Sequence, residues 1–327
     1  MKRRALLEHT AMVSALLALG AAPARAEFPD KPIRIVLPVP PGAAADALAR
    51  SLGARLAERL GQPVIVDSKP GANGIIAADF VAKSAPDGST LLLSGNGVAV
   101  NPYLYRKLPF DTLRDLTPVA LAAEPGPMVL VAHPRLGAST LAELVRLARA
   151  KPGAISYGSA GIGNTFHLAG AMLAHQAGIE LLHVPYKGAA PALTDLLGGQ
   201  IDLMFNSLLA VKPALEQGRL RAIAQTGAVR LAALPDVPTL IEAGLGSYEF
   251  YGWFALFAPA ATPAAVITRL RQEVAWATVQ EEVRERLAAI GAGPPAAAQL
   301  DMATLWKAEH ARYRKLVDDI KLTLDNP

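Results

Sequence analysis

The stretch from Ile33 to Asp67 decides the fold; it reads IRIVLPVPPGAAADALARSLGARLAERLGQPVIVD. It opens with an apolar run typical of a buried strand, and Pro40-Pro41-Gly42 ends that run. Leucines then recur at helical spacing between Asp46 and Leu60, and Gly61 is the residue type that ends helices. The apolar run at 64–67 predicts a second strand. Strand, loop, helix and strand in this order form the repeating unit of a parallel sheet.

The same alternation continues to the end of the chain. Further strands are predicted at 90–94, 128–132, 155–158, 181–184, 201–205, 220–225 and 248–258, and helices at 75–84, 140–150, 165–177, 191–197, 208–218, 263–278, 281–290 and 299–320. Thr140 and Glu143 match the capping-box pattern at the start of one helix. We therefore predict an α/β protein with doubly wound, largely parallel sheets.

The length and the order of elements predict two domains. Pro125-Gly126-Pro127 interrupts the pattern, so one boundary is placed near Glu124. The helices after residue 263 have no sheet of their own to cover, and we expect them to pack on the first domain. The predicted division is 27–124 with 250–327 as domain 1, and 125–249 as domain 2. The chain then crosses between domains twice, which permits hinge closure over a cleft.

The first 26 residues have the three zones of an export signal. Basic residues at positions 2–4 precede the apolar run AMVSALLALGAA, and Ala24-Arg25-Ala26 has the small-x-small pattern of a cleavage site. The run is shorter than a membrane-spanning helix requires. We predict cleavage near Ala26 and a periplasmic mature protein. Arg3-Arg4 leaves a twin-arginine export route open beside the general one.

Removal of this signal changes the charge of the protein. The whole chain has 32 basic and 28 acidic residues, a net charge of +4. Residues 1–26 hold four basic residues and one acidic residue, so the remainder is near +1. No basic stripe is present, and we expect no nucleic-acid partner. The chain has no cysteine, which excludes disulfides and thiolate sites.

Common enzyme and metal motifs do not match the sequence. Tyr157-Gly158-Ser159-Ala160-Gly161 lacks the first glycine of a nucleophile elbow, and the histidines do not form a His-Glu-x-x-His pattern. Gly161-Ile162-Gly163 is followed by Phe166 where a dinucleotide loop has its third glycine. We therefore predict no enzyme activity, no cofactor and no metal. An exported hydrolase that uses Ser159 stays as the least favoured alternative.

Five glycine- or amide-containing loops follow predicted strands instead. They are 40–46, 94–97, 159–165, 186–190 and 205–207. Each has an ordinary explanation as a turn. Each also precedes a helix start, where free N–H groups and the helix dipole favour an anion. Because ligands of open α/β sheets bind beyond the carboxyl ends of strands, five such loops together favour anion binding.

Several longer segments make the chain similar to a known family. The segments are 60–67 (LGQPVIVD), 69–74 (KPGANG), 85–92 (APDGSTLL), 184–200 (VPYKGAAPALTDLLGGQ) and 234–239 (LPDVPT). In combination they resemble the Bordetella uptake gene (Bug) family, the extracytoplasmic substrate-binding components of tripartite tricarboxylate transporters. The resemblance extends from Phe28 to about Val317.

This resemblance implies a type II periplasmic-binding-protein-like fold with the ligand between two domains. It implies capture of a small mono- or dicarboxylate, bound largely by backbone N–H groups and water, by a monomer that delivers it to membrane transporter subunits. A sensory binding protein that serves a receptor is the alternative. The predicted ligand-binding residues are Pro41, Gly42, Ala43, Ala44, Asp46, Ser94, Gly95, Asn96, Ser159, Ala160, Gly161, Gly163, Asn164, Thr165, His167, Tyr186, Asn206 and Ser207.

Some of these residues have a second interpretation. Asp46 either complements the dipole of its helix or orients a ligand group, and Asn164 and Thr165 either cap a helix or bind the carboxylate. The family often has glycine where this chain has Ala43 and Ala44, and Asp where it has Asn206. The neutral amide of Asn206 favours a carboxylate over an acidic amino acid. We expect the carboxylate on loops 41–46 and 94–96, and its other end on 159–165 and 206–207.

Overall fold

The computed structural model describes residues 28–246, 248–289, 292–295, 302–322 and 324. The predicted export signal lies outside these residues. The strands are β1 Ile33–Leu37, β2 Val64–Ser68, β3 Thr90–Ser94, β4 Leu116–Pro127, β5 Val129–Ala132, β6 Ser156–Ser159, β7 Leu182–Pro185, β8 Leu203–Asn206, β9 Arg221–Gln225 and β10 Tyr251–Pro259. Within these ranges, no helix is long and apolar enough to cross a membrane.

The helices alternate with the strands over most of the chain. They are α1 Ala44–Leu60, α2 Ile75–Ala82, α3 Gly97–Leu104, α4 Thr112–Asp115, α5 Leu141–Ala150, α6 Thr165–Ala177, α7 Ala189–Leu197, α8 Leu208–Glu216, α9 Ala264–Thr278, α10 Glu281–Ala289 and α11 Met302–Ile320. Gly61 ends α1 in the left-handed conformation, and Thr140 and Glu143 form the predicted capping box of α5. Both local predictions are confirmed.

Two five-stranded sheets organise the molecule. The order is β2-β1-β3-β10-β4 in the first and β7-β6-β8-β5-β9 in the second. In each sheet one strand runs against the other four: β10 is antiparallel to β3 and β4, and β5 to β8 and β9. The prediction of largely parallel sheets is therefore correct. We call the parts built on the two sheets the first lobe and the second lobe.

Helices cover both faces of each sheet, as the doubly wound prediction requires. In the first lobe, Ile33, Ile35 and Leu37 pack against α1 and α9, while Val36 faces the cluster formed by α2, α3 and α11. In the second lobe, α7 and α8 cover one face, and α5 and α6 the other. The C-terminal helices α9 and α11 pack mainly on the first lobe.

The chain passes between the lobes at two adjacent places. β4 of the first sheet is followed after Met128 by β5 of the second sheet. The return passes from β9 through 226–250 into β10. Tyr251 is paired with Pro127, so the two crossovers lie side by side.

The region 97–127 differs from the sequence prediction, which assigned no element there. It holds α3, α4 and β4. Pro102 interrupts the helical pattern of α3, and α4 has only four residues. Pro118 argues against a strand, but β4 is the edge strand of its sheet, where proline is tolerated. The strand predicted from Tyr248 begins at Tyr251.

Candidate functional site

The carboxyl ends of the parallel strands bring loops of both lobes together. The Thr165 hydroxyl at the start of α6 lies 3.4 Å from Oδ1 of Asn96, which follows β3. Gly163 lies so close to the first lobe that an added Cβ would be 2.7 Å from Nδ2 of Asn73 and 2.8 Å from Cδ1 of Leu104. The loops after β2, β3 and β6 therefore meet across the lobe boundary.

The loop after β1 is held closed by the helix that it precedes. Gly42 has a left-handed φ of +83°, and its N–H donates to Oδ2 of Asp46 at 3.0 Å. Asp46 is 5% exposed and forms an ion pair with Arg50, the next turn of α1, at 3.0 Å. The Arg50 guanidinium and the Gly42 N–H hold the pKa of Asp46 below its ordinary value.

The start of α1 keeps donors available for an anion. Its N-terminal cap is Ala43, and no described side chain caps the helix there. The N–H groups of Ala44 and Ala45 precede the first helical hydrogen bonds, because a helix leaves its first donors without partners. Arg50 neutralises Asp46, so these donors can approach an anion without a net negative charge beside them.

The loop after β6 repeats this construction in the second lobe. Gly163 has a φ of +76°, and its N–H donates to Nδ1 of His167 at 3.0 Å. Here the acceptor, like Asp46, is the third residue of the following helix. Asn164 is the helix cap and accepts the N–H of Phe166 at 2.9 Å. Of the two interpretations of Asn164, the structure directly shows the cap.

His167 belongs to a cluster of stacked rings beneath this loop. Its ring centroid lies 3.9 Å from that of His183, with the planes 18° apart. The Tyr157 ring is nearly parallel to that of His167, at 13°, and is tilted by 30° against that of His183. Burial and the neighbouring His183 lower the pKa of His167 to about 3, and burial lowers the pKa of His183 to about 4. Both rings are neutral at pH 7. Since Nδ1 of His167 accepts a hydrogen bond, its proton is on Nε2.

Ser159, the residue named in the hydrolase alternative, also joins this cluster. Its Oγ lies 2.7 Å from Nε2 of His183. The same hydroxyl accepts the N–H of Gly161 at 3.1 Å and lies 3.0 Å from the Gly161 carbonyl. Ser159 is 0% exposed. A nucleophile has to reach its substrate, so this serine–histidine contact supports the loop rather than a hydrolase.

Asn96 uses its carboxamide inside the protein. Nδ2 donates to the Tyr251 carbonyl at 2.9 Å and to the Tyr313 hydroxyl. Oδ1 accepts the Trp253 N–H at 3.2 Å and faces Thr165. Gly95 before it is also confined, because an added Cβ would be 2.8 Å from the Trp253 carbonyl.

Asn206 and Ser207 are placed differently, at the end of β8. Oδ1 of Asn206 accepts the N–H of Ser207 at 2.8 Å, while Nδ2 donates to Sδ of Met204 at 3.7 Å, a weak acceptor. Ser207 starts α8, and in the described part of the chain its side chain forms no capping hydrogen bond. Nδ2 of Asn206 and the Ser207 hydroxyl therefore keep hydrogen-bonding capacity for a ligand.

The remaining predicted residues lie at or just after the ends of strands. Ser94 ends β3, and Ala160 with Gly161 continues from β6, where Gly161 has a φ of +126°. The Tyr186 hydroxyl donates to Asp195 of α7 at 2.7 Å, which directs it toward its own helix.

Sequence reasoning did not select Arg50 or His183. Arg50 follows Asp46 by four residues on a helix, a spacing that predicts a pair. His183 is brought to Ser159 only by the β6–β7 register.

Two further features of the structure bear on the site. Among the described residues, no group of three or more histidine or acidic residues is placed to hold a metal ion. A surface cavity of about 510 Å³ lies away from the strand ends, between α3 and α11, and contains none of the predicted residues. The interlobe loops therefore remain the candidate site.

Comparison with known families agrees with this architecture. The sequence profile of TctC, described as the tripartite tricarboxylate transporter family receptor, matches residues 48–322. The chain belongs to this family. Two relatives support the assignment. The chain is 40% identical over 297 residues to the UPF0065 protein in the tcbD-tcbE intergenic region of Pseudomonas sp. strain P51, covering 90% of this chain and 88% of that protein. It is 37% identical over 277 residues to protein BugT of Bordetella pertussis, covering 84% and 85%.

Three solved structures share the fold of this chain. R. palustris Rpa4515 with adipate is 36% identical with a TM-score of 0.81, covering 91% of this chain and all of that one. MatC (Rpa3494) from Rhodopseudomonas palustris with bound malate is 32% identical with a TM-score of 0.78, covering 89% and 100%. The periplasmic binding protein BugD is 31% identical with a TM-score of 0.78, covering 91% and 100%. The predicted Bug-type, two-lobed α/β fold is confirmed.

Proposed function

We propose that this TctC-family receptor captures a small mono- or dicarboxylate between its two lobes and delivers it to membrane subunits of a tripartite tricarboxylate-type transporter. The observation that carries the proposal is the matched pair of loops, 41–46 and 159–165. Each has a left-handed glycine whose N–H is bonded to the third residue of the next helix. Each thereby fixes a helix start at the strand ends where open α/β sheets bind ligands.

The charge at these loops suits a carboxylate. Asp46 is paired with Arg50, and His167 and His183 are neutral at pH 7. The helix starts therefore present N–H dipoles without an unpaired negative charge. Nδ2 of Asn206 adds a side-chain donor at the end of β8, where an aspartate would repel an anion. The solved relatives named with adipate and malate support this ligand class.

Binding in this proposal involves no covalent chemistry. Four or five charge-assisted hydrogen bonds to fixed donors are expected to give a dissociation constant in the micromolar range, about −8 kcal/mol. The loops from the two lobes hold opposite ends of the ligand, so binding favours the closed arrangement. We propose that the closed protein is the form that the membrane subunits recognise.

We propose that the mature protein is a periplasmic monomer released from its export signal near Ala26. The signal pattern at 1–26 and the periplasmic description of BugD support this localisation. N-terminal sequencing of protein recovered from the periplasm is expected to begin at Glu27. A chain that keeps residues 1–26, or that stays in the cytoplasm, contradicts the proposal.

The test of the function is a thermal-shift screen on protein that has been unfolded and refolded to remove co-purified ligand. Adipate, malate, citrate, short monocarboxylates and glutamate are the probes. A ligand at 100 times its dissociation constant is expected to stabilise the fold by about 2.7 kcal/mol. The matching neutral diamides are the controls and are expected to give no shift. No shift with any carboxylate contradicts the proposal.

A further inference from the structure

Thr226 ties the two crossovers of the chain together in the second lobe. This residue follows β9 and is 0% exposed. Its hydroxyl accepts the Met128 N–H at 2.8 Å and donates to the Phe250 carbonyl. Its main chain adds two more bonds, from its N–H to the Met128 carbonyl at 2.9 Å and from the Phe250 N–H to its carbonyl at 3.2 Å. One residue thus holds both crossovers through four hydrogen bonds.

The segment between β9 and Phe250 is itself fixed to the second lobe. The side chain of Gln225 bonds to the main chain of Leu231, Leu234 and Val237. The Tyr248 hydroxyl donates to the Ala169 carbonyl of α6 at 2.6 Å. Met128 and Phe250 therefore move with the second lobe.

Asn96 holds the very next residues to the first lobe. Its Nδ2 donates to the Tyr251 carbonyl and its Oδ1 accepts the Trp253 N–H. On the other crossover, Pro127 and Gly126 are paired with Tyr251 and Gly252 in the first sheet. The main-chain attachment therefore changes from one lobe to the other between Pro127 and Met128, and between Phe250 and Tyr251.

From this arrangement we infer that the lobes rotate about an axis through the Pro127–Met128 and Phe250–Tyr251 linkages, and that Thr226 and Asn96 are the positioning residues that confine the rotation there. The proline ring fixes φ of Pro127, so the first crossover turns only at ψ of Pro127 and at Met128. Because Thr226 joins Met128 to Phe250, the two linkages turn together. The loops of the two lobes therefore meet in a single relative position.

The experiment measures interlobe distances by double electron–electron resonance in the free and the ligand-loaded protein. The chain has no cysteine, so Ala54→Cys in the first lobe and Arg219→Cys in the second give two specific label sites, both exposed. In a Thr226→Val background the distance distribution of the free protein is expected to be broader than in wild type. Thr226→Ser, which keeps the hydroxyl, is expected to restore the wild-type width.

Thr239→Val is the matched control. Thr239 is also 0% exposed and its hydroxyl accepts the Glu242 N–H at 3.1 Å, a bond within the 226–250 segment that involves neither Met128 nor Phe250. It is expected to leave the distribution unchanged. An unchanged width for Thr226→Val, or equal broadening for Thr239→Val, overturns the inference. The free-protein measurement does not depend on any ligand, so it stands even if the proposed function fails.

The affinity measurement rests on the proposed function. Whichever of malate and adipate binds wild type more tightly is expected to bind Thr226→Val about tenfold more weakly, in the range typical of conformational coupling, with the loss in the dissociation rate. An unchanged affinity and dissociation rate overturn the positioning role. Should Thr226→Val not fold, amide exchange of wild type tests the same geometry. The Met128 and Phe250 amides are expected to exchange slowly, and exchange at the rate of an unstructured peptide overturns it.

Discussion

The loops 41–46 and 159–165 share one backbone arrangement but stabilise it with different side chains. In both, the N–H of a left-handed glycine bonds at 3.0 Å to the third residue of the next helix. The first lobe uses the carboxylate Asp46 and needs Arg50 to balance its charge. The second lobe uses His167, which burial keeps neutral. The two lobes thus fix the same loop shape without leaving an unpaired charge at the helix start where we propose that an anion binds.

Substitution of Gly42 and Gly163 is expected to have the largest effects on carboxylate binding, and the two effects are expected to differ. Gly42→Ala meets no atom within 4 Å, so its cost is the left-handed conformation alone, about 1–2 kcal/mol. Gly163→Ala has the same cost and also forces a methyl group onto Asn73 and Leu104 of the first lobe. We expect Gly163→Ala to weaken carboxylate binding about 100-fold and Gly42→Ala about tenfold, since 1.4 kcal/mol is a factor of ten.

Isothermal titration of both variants with the tightest carboxylate measures this difference. Circular dichroism controls for folding at the temperature of titration. Equal losses for the two variants would show that the lobes do not approach at Gly163 when the ligand binds.

The unfolding free energy is expected to depend on pH differently through the two acceptors, Asp46 and His167. Because the pKa of His167 is about 3 in the folded chain and near 6.5 in the unfolded chain, the unfolded state binds the proton first as pH falls. The stability conferred by neutral His167 is complete above about pH 6.5 and is lost progressively toward pH 3. Between pH 7 and pH 5 this histidine accounts for a loss of about 2 kcal/mol.

Urea unfolding of the free protein at pH 7 and pH 5 measures that loss. His167→Gln is expected to reduce it by about 2 kcal/mol. Asp46→Asn is expected to leave it unchanged, because the lowered pKa of Asp46 confines its loss to pH values below about 4. A His167→Gln variant with the wild-type pH dependence would contradict a buried, neutral imidazole.

Asn206 of the second lobe tests the electrostatic part of the comparison. Asn206→Asp replaces an available donor with a negative charge, and we expect about tenfold weaker carboxylate binding, or about 1.4 kcal/mol. Asn206→Leu is the control, because it has a similar size and removes the donor without adding a charge. Equal affinities of the two variants would show that no anion binds near Asn206.

The smallest expected effect concerns helix starts. Asn164→Ala removes the cap of α6 and is expected to cost about 1 kcal/mol of unfolding free energy. Ser207→Ala removes no capping bond from α8 and is expected to change the unfolding free energy by less than about 0.5 kcal/mol. Chemical denaturation without ligand measures both. A cost for Ser207→Ala equal to that of Asn164→Ala would assign Ser207 a structural role instead of a free hydroxyl.

The sequence predicted many helices and strands of this fold because their signals lie within the elements themselves. The helix Thr165–Ala177 and the strand Thr90–Ser94 have the predicted bounds. Their signals are apolar periodicity and glycine or asparagine at the ends. The sequence analysis did not predict β4, because a proline such as Pro118 is typical of a strand break. An edge strand tolerates proline, but the edge position of β4 depends on the order of the whole sheet.

The candidate site also has features that local sequence predicts and features that depend on the tertiary structure. The loops and their helix starts follow from glycine punctuation, and the Asp46–Arg50 pair follows from helical spacing. The Ser159–His183 contact depends on the β6–β7 register, and the bonds of Asn96 depend on the return of the chain as β10. The sequence therefore indicates which loops meet at the strand ends but not which side chains are already bonded within the protein.

Amide chemical shifts during a carboxylate titration test the central claim most directly. The claim is that one loop from each lobe binds the same ligand. We predict that the N–H signals of Ala44 and Ala45 in the first lobe, and those of 160–165 in the second, move together with one dissociation constant for malate or adipate. Shifts confined to one lobe, or located at the cavity between α3 and α11, would contradict capture between the lobes.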